Sequence, residues 1–76
     1  MRRRLPPMRA REVIAILERA GWYVDHITGS HYIMRHPDRP GRVPVPYHGN
    51  RDIKIAVLRS IIRMAGMSVE EFLALG

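Results

Sequence analysis

The sequence predicts a single α+β domain in which a three-stranded antiparallel sheet carries helices on one face. Three observations predict it. Val13, Ile14 and Leu17 near one end, and Leu58, Ile61, Ile62 and Ala65 near the other, recur at helical spacing. A glycine closes each stretch, Gly21 and Gly66. Between them lie three short runs with strand character, separated by Gly-Ser and by a Pro- and Gly-rich turn. A chain of 76 residues buries one thin core and makes one domain.

The elements follow in order. Residues 1–7, with three arginines and then Pro6-Pro7, read as a basic, extended N-terminal extension, so the domain is predicted over 8–76. The first helix is predicted over Arg9–Ala20, with Arg19 favourably placed in its last turn. Trp22–Ile27 is the first strand, and Trp22 is expected to pack under the helix. Strict alternation puts Trp22, Val24 and His26 on one side and Tyr23, Asp25 and Ile27 on the other, and neither side is cleanly apolar. Gly29-Ser30 is a tight turn, where glycine supplies the positive φ. His31–His36 is the second strand, with Tyr32 and Met34 toward the core and His31, Ile33 and Arg35 away from it. Pro37–Gly41 is a turn. Arg42–Val45 is the third strand, and Pro44 and Pro46 place it at an edge. A loop over Tyr47–Arg51 leads to a second helix running from Ile53 or Lys54 to Ala65, with Asp52 as candidate N-cap. Ser68 and Glu71 form a capping box that starts a short last helix, Val69–Leu75, docked by Phe72. Two helices cover one face of such a sheet and leave the other open.

Charge narrows the partner. Lys and Arg total 13 against 7 Asp and Glu, a net charge of +6, and Lys54 is the single lysine. The planar fork of arginine suits phosphate and stacks on bases, so a polyanion, nucleic acid first, is the expected partner. The plain alternative is an ordinary basic surface. With no cysteine there is no disulfide and no thiolate chemistry, which fits a reducing cytoplasm. No apolar run approaches the roughly 20 residues of a membrane span, and Leu5-Pro6-Pro7 is not the apolar region of a signal peptide. No membrane partner is expected.

Histidine is the residue type that offers chemistry, since an imidazole exchanges a proton near neutral pH. His31 stands beside the Gly-Ser turn, near a sheet edge by this reading, and is the candidate general base. His48, in the loop, is the second candidate catalytic group. His26 and His36 read as structural or surface residues, and Asp25 is the acidic residue that could orient His31 across the hairpin. The four histidines lack compact metal-ligand spacing, so no metal and no cofactor is expected. Candidate nucleic-acid contacts are Gly29, Ser30, Arg35, Arg51, Lys54, Arg59 and Arg63. Those at the start of the second helix gain from its dipole.

From Met8 onward the chain resembles the HicA family of small bacterial toxins. The resemblance rests on Arg11-Glu12-Val13-Ile14, Leu17-Glu18-Arg19-Ala20-Gly21-Trp22, Gly29-Ser30-His31, His36-Pro37, Val45-Pro46 with His48, and Leu58-Arg59-Ser60-Ile61-Ile62-Arg63 before Ala65-Gly66. No single piece is specific; their order and spacing are. One departure is Lys54-Ile55-Ala56-Val57, where members often carry Gly-Thr before the leucine. The resemblance implies a fold similar to a double-stranded RNA-binding domain. It also implies mRNA cleavage by the histidine of Gly-Ser-His, here His31, and inhibition by a HicB antitoxin encoded beside the toxin. The expected function is thus a metal-independent endoribonuclease toxin that cleaves mRNA with a single catalytic histidine. The alternatives are a non-catalytic RNA-binding module of the same shape and a protein that only binds an acidic partner.

Overall fold

The first helical stripe forms α1, Ala10–Arg19, in the computed structural model, which describes residues 4–76. Ala10, Val13, Ile14, Ile16 and Leu17 are buried. Glu12 accepts the Arg9 N–H at 2.9 Å, occupying one donor at the open helix end. At the other end Gly21 takes φ 97°. Its N–H donates to the Glu18 carbonyl, and the Trp22 N–H donates to Leu17. This is a Schellman ending, and it drives Trp22 into the core beside Leu17. Trp22 therefore spends its N–H on the helix, and β1 runs Tyr23–Thr28, one residue later than the sequence predicts.

β1 pairs antiparallel with β2, His31–His36, and β2 with β3, Arg39–Pro46, in the order β1-β2-β3. β2 is thus the central strand. His31 lies at its end beside the hairpin, not at a lateral edge as expected from sequence. β3 is an edge strand, as Pro44 and Pro46 require. It starts earlier than predicted, because the β2–β3 turn contracts to Pro37-Asp38. Pro40, Gly41 and Arg42 form an irregularity opposite Arg35, between the pairs Met34–Val43 and His36–Arg39.

α2, Ile55–Met64, lays Leu58, Ile61 and Ile62 on the sheet. Asp52 is not its N-cap. Instead Asp52 bridges to Arg9, and the Ile53 N–H donates to Met8 at 2.8 Å, so this backbone is drawn toward the N-terminal segment and helix begins only after Lys54. Ser68 and Glu71 close the capping box of α3, Val69–Ala74, through Glu71 N–H to Ser68 Oγ and Ser68 N–H to Glu71 Oε1. Phe72 is fully buried, and Arg19 donates to the Leu75 carbonyl, tying α1 to the α3 end.

The core lies between the helices and one sheet face. Val13, Leu17, Met34, Val43, Val45, Leu58, Ile61 and Phe72 are its largest fully buried members. Tyr32 sits at its margin, stacked on Tyr47 with ring centroids 4.7 Å apart. Leu5 also belongs to the core, so packing begins inside the stretch 1–7 that the sequence sets aside as an extension, while residues 1–3 lie outside the described residues. Among the described residues no helix is long and apolar enough to cross a membrane.

Candidate active site on the open sheet face

Strand pairing decides which side chains share a face, because directly opposed residues point the same way. Met34 is paired with Val24 and Val43, and these turn toward the helices. Ile33, paired with His26 and Pro44, points the other way, and so does His31, paired with Thr28 and Pro46. The helix-free face therefore presents His31, His26 and Arg35, with Pro44 and Pro46 along one side. Ile33 is buried on this face, outside the helix-side core.

His31 is exposed at the start of β2. The two-residue turn before it uses Gly29 at φ 56°, followed by Ser30 without positive φ, the pattern a type II′ hairpin needs. The Ser30 carbonyl accepts the Tyr47 N–H at 2.6 Å. That bond pins the turn to the end of β3 and starts the loop that carries His48.

Beyond Pro46 a cleft of about 330 Å³ opens, lined by Pro46, His48, Arg51, Asp52, Ile53, Lys54 and Val57. Three predicted residues, His48, Arg51 and Lys54, meet there. Pro46, the cross-strand partner of His31, forms one wall, so the cleft adjoins His31. No side chain caps the α2 N-terminus at Lys54, and its leading N–H groups keep their donor capacity.

Arg59 and Arg63 are elsewhere. They line a separate groove with Ile62, Met67, Ser68 and Val69 between α2 and α3, in the helical layer on the far side of the sheet. The structure does not bring them to His31.

The remaining histidines differ from each other. His36 is structural, as its sequence context predicts. Its Nδ1 accepts the Asp38 N–H at 3.0 Å, its Nε2 bonds the Ala20 carbonyl at 3.1 Å, and its ring stands edge-on to Trp22. His26 is a surface residue. It is exposed on the open face, with Nδ1 2.8 Å from Asp25 Oδ2. The same oxygen lies 3.6 Å from Arg35 Nε. Asp25 therefore orients His26 and pairs with Arg35; it is not hydrogen-bonded to His31 across the hairpin. Sequence reasoning missed this cluster because the β1–β2 register skips Asp25 between Val24 and His26. That bulge moves His26 from the core side to the open side. The adjacent Asp25-His26 pair was the available signal. Among the described residues no three His, Cys, Asp or Glu side chains group as a metal site.

The class of protein is thus a small basic α+β domain with one sheet face covered by helices and two exposed imidazoles, His26 and His31, on the other. The family described as HicA toxin of bacterial toxin-antitoxin matches residues 10–67, and the chain belongs to that family. It is the toxin component of a toxin–antitoxin system, and its family implies an antitoxin partner. Comparison with curated proteins gave no match.

Proposed function

We propose that this toxin is an endoribonuclease that cuts mRNA with His31 as general base and without a metal. The observation that carries the reading is the exposed His31 imidazole on the open sheet face, beside the Gly29-Ser30 turn, in a chain of this family. His31 takes the proton of a ribose 2′-OH, and the freed oxygen attacks the adjacent phosphorus. The P–O5′ bond breaks to leave a 2′,3′-cyclic phosphate. General-base catalysis of this kind contributes about 10²–10⁴-fold. The neighbouring cleft supports the reading, since Arg51, Lys54 and the uncapped α2 N-terminus converge there as a seat for the next phosphate. Gly29 and Ser30 bring backbone close to the strand, and Arg35 adds charge on the same face. His48 at the cleft binds phosphate or serves as a second proton-transfer group.

The antitoxin, by this reading a HicB-like protein, silences the toxin by covering the open face and His31. A basic surface that must otherwise stay open is matched by an acidic partner. A stable contact of this sort buries about 1,200–2,000 Å² in total. A complex that leaves His31 open to RNA refutes the occlusion.

The test is RNA cleavage by wild type and His31→Ala, with and without EDTA, using RNA and a version with a 2′-deoxy residue at the cut site. Expected are cleavage unaffected by EDTA, no cleavage at the deoxy position, and loss of at least about 10²-fold in His31→Ala. RNA binding with no cleavage by wild type makes the protein a non-catalytic RNA-binding module.

A further inference from the structure

We propose that His26, held by Asp25, is the general acid that protonates the leaving 5′-oxygen in this reaction. The proposal rests on the endoribonuclease reading above and names a group that reading leaves open.

Cleavage by a 2′-oxygen needs two proton transfers. One removes the 2′-OH proton and the other delivers a proton to the departing O5′. A single histidine at the start of β2 serves the first; the second needs a donor on the other side of the phosphate. The open face provides one. His26 is paired with Ile33, and His31 is two residues before Ile33 on β2. The two imidazoles are therefore diagonal neighbours on one face, about 7–8 Å apart at the backbone. That spacing lets them flank one phosphate.

The local geometry favours proton donation from His26. Asp25 occupies the bulge, and its Oδ2 lies 2.8 Å from His26 Nδ1, so Nδ1–H donates to the carboxylate. This bond orients the ring and leaves Nε2 to meet the substrate. Arg35, 3.6 Å from the same oxygen, holds Asp25 from the other strand and adds positive charge beside the His26 site. His48 is the competing donor. It lies off the sheet in the cleft, and no carboxylate pairs with it among the described residues.

The step balances. The P–O2′ bond forms while His31 takes the 2′ proton. The P–O5′ bond breaks while His26 Nε2–H gives its proton to O5′. The products are a 2′,3′-cyclic phosphate and a free 5′-OH, and exchange with water restores both histidines.

The test separates acid from base by changing the leaving group. An RNA oligonucleotide spanning the wild-type cut site is compared with the same oligonucleotide carrying a bridging 5′-sulfur there. A thiolate departs without protonation. His26→Ala is expected to lose at least about 10²-fold on the oxygen substrate and to cut the sulfur substrate close to the wild-type rate. His31→Ala is expected to fail on both. Asp25→Asn, a positioning residue, should show the His26 pattern in weaker form, which general damage to the fold would not produce. Because His26 and Asp25 are exposed, their variants should melt close to wild type. The proposal is overturned if His26→Ala cuts the oxygen substrate normally, or loses both substrates equally, or if the selective pattern belongs to His48→Ala instead. In each of those cases a wild type that depends on His31 leaves the endoribonuclease reading standing. A wild type that cuts neither substrate ends both.

Discussion

Replacing Gly21 with alanine tests how α1 is joined to the sheet. Gly21 has φ 97°, where an L side chain is strained, at a cost of about 1–2 kcal/mol. A methyl there would also stand 2.6 Å from His36 Nε2. The ring must move. It then loses its 3.1 Å bond to the Ala20 carbonyl, worth about 0.5–1.5 kcal/mol. It also loses its edge contact with Trp22 at 5.3 Å, worth a similar amount of about 0.5–1.5 kcal/mol. The sum is about 2–5 kcal/mol. A domain of this size has only about 4–11 kcal/mol in all, at about 0.05–0.15 kcal/mol per residue. At about 4–8 °C per kcal/mol, the melting temperature should fall by at least about 8 °C. The assay is urea denaturation followed by circular dichroism, on Gly21→Ala, His36→Ala and the double variant. In the His36→Ala background only the backbone strain remains, so Gly21→Ala should cost about 1–2 kcal/mol there. Strictly additive effects would falsify the contact with His36, and a neutral Gly21→Ala would remove the helix-end geometry altogether.

Three further outcomes are expected. Leu58→Ala, at a fully buried site, should cost about 2–5 kcal/mol, whereas Ile55→Ala, at a half-exposed site three residues earlier, should cost far less; equal melting shifts would mean the buried face of α2 is misassigned. Glu71 has its carboxyl held below the usual value of 4.5, first by the Ser68 backbone N–H and then by the Ser68 side chain. Its folded-state value is depressed, so its contribution is present above the unfolded value and lost as pH falls through the folded one; urea midpoints in the acid range should show this for wild type and less of it for Ser68→Ala. Lys54→Ala should reduce the salt dependence of single-stranded RNA binding by about 0.7 in log–log slope, and Arg63→Ala should leave it unchanged; the reverse result would move the RNA to the helical layer.

Much of the fold was legible because it follows from local chemistry. The stripes Val13-Ile14-Leu17 and Leu58-Ile61-Ile62-Ala65 place themselves, and Gly21, Gly66 and the Ser68–Glu71 box mark helix ends by backbone needs that a sequence displays. Long-range backbone pairing was not legible. Asp52 has the residue type of an N-cap, yet the bonds from Met8 and Arg9 to Ile53 and Asp52 claim that backbone first. Leu5, in an Arg- and Pro-rich lead, is buried by a surface that only the assembled helices and sheet create. The charge was legible as a total and not as a pattern. Arg59 and Arg63 stand four apart on one helix, but only the packing of α2 and α3 decides that they face away from the open sheet.

The candidate site turns on the same distinction. His31 follows a turn whose Gly-Ser chemistry is local, so its place on the open face can be read from alternation in β2 alone. His26 cannot be read that way. Alternation from Val24 would bury an imidazole on the helix side, with no polar partner specified for it. One inserted residue resolves that conflict. The bulge at Asp25 moves His26 to the solvent side and brings a carboxylate to 2.8 Å from its ring. The same irregularity shifts Ile27 to the Tyr32 side, where it is left 55% exposed at the edge of β1. The bulge thus sets His26, with Asp25 beside its ring, on the face that carries His31. That is the arrangement expected if the second imidazole is retained for chemistry and not for packing.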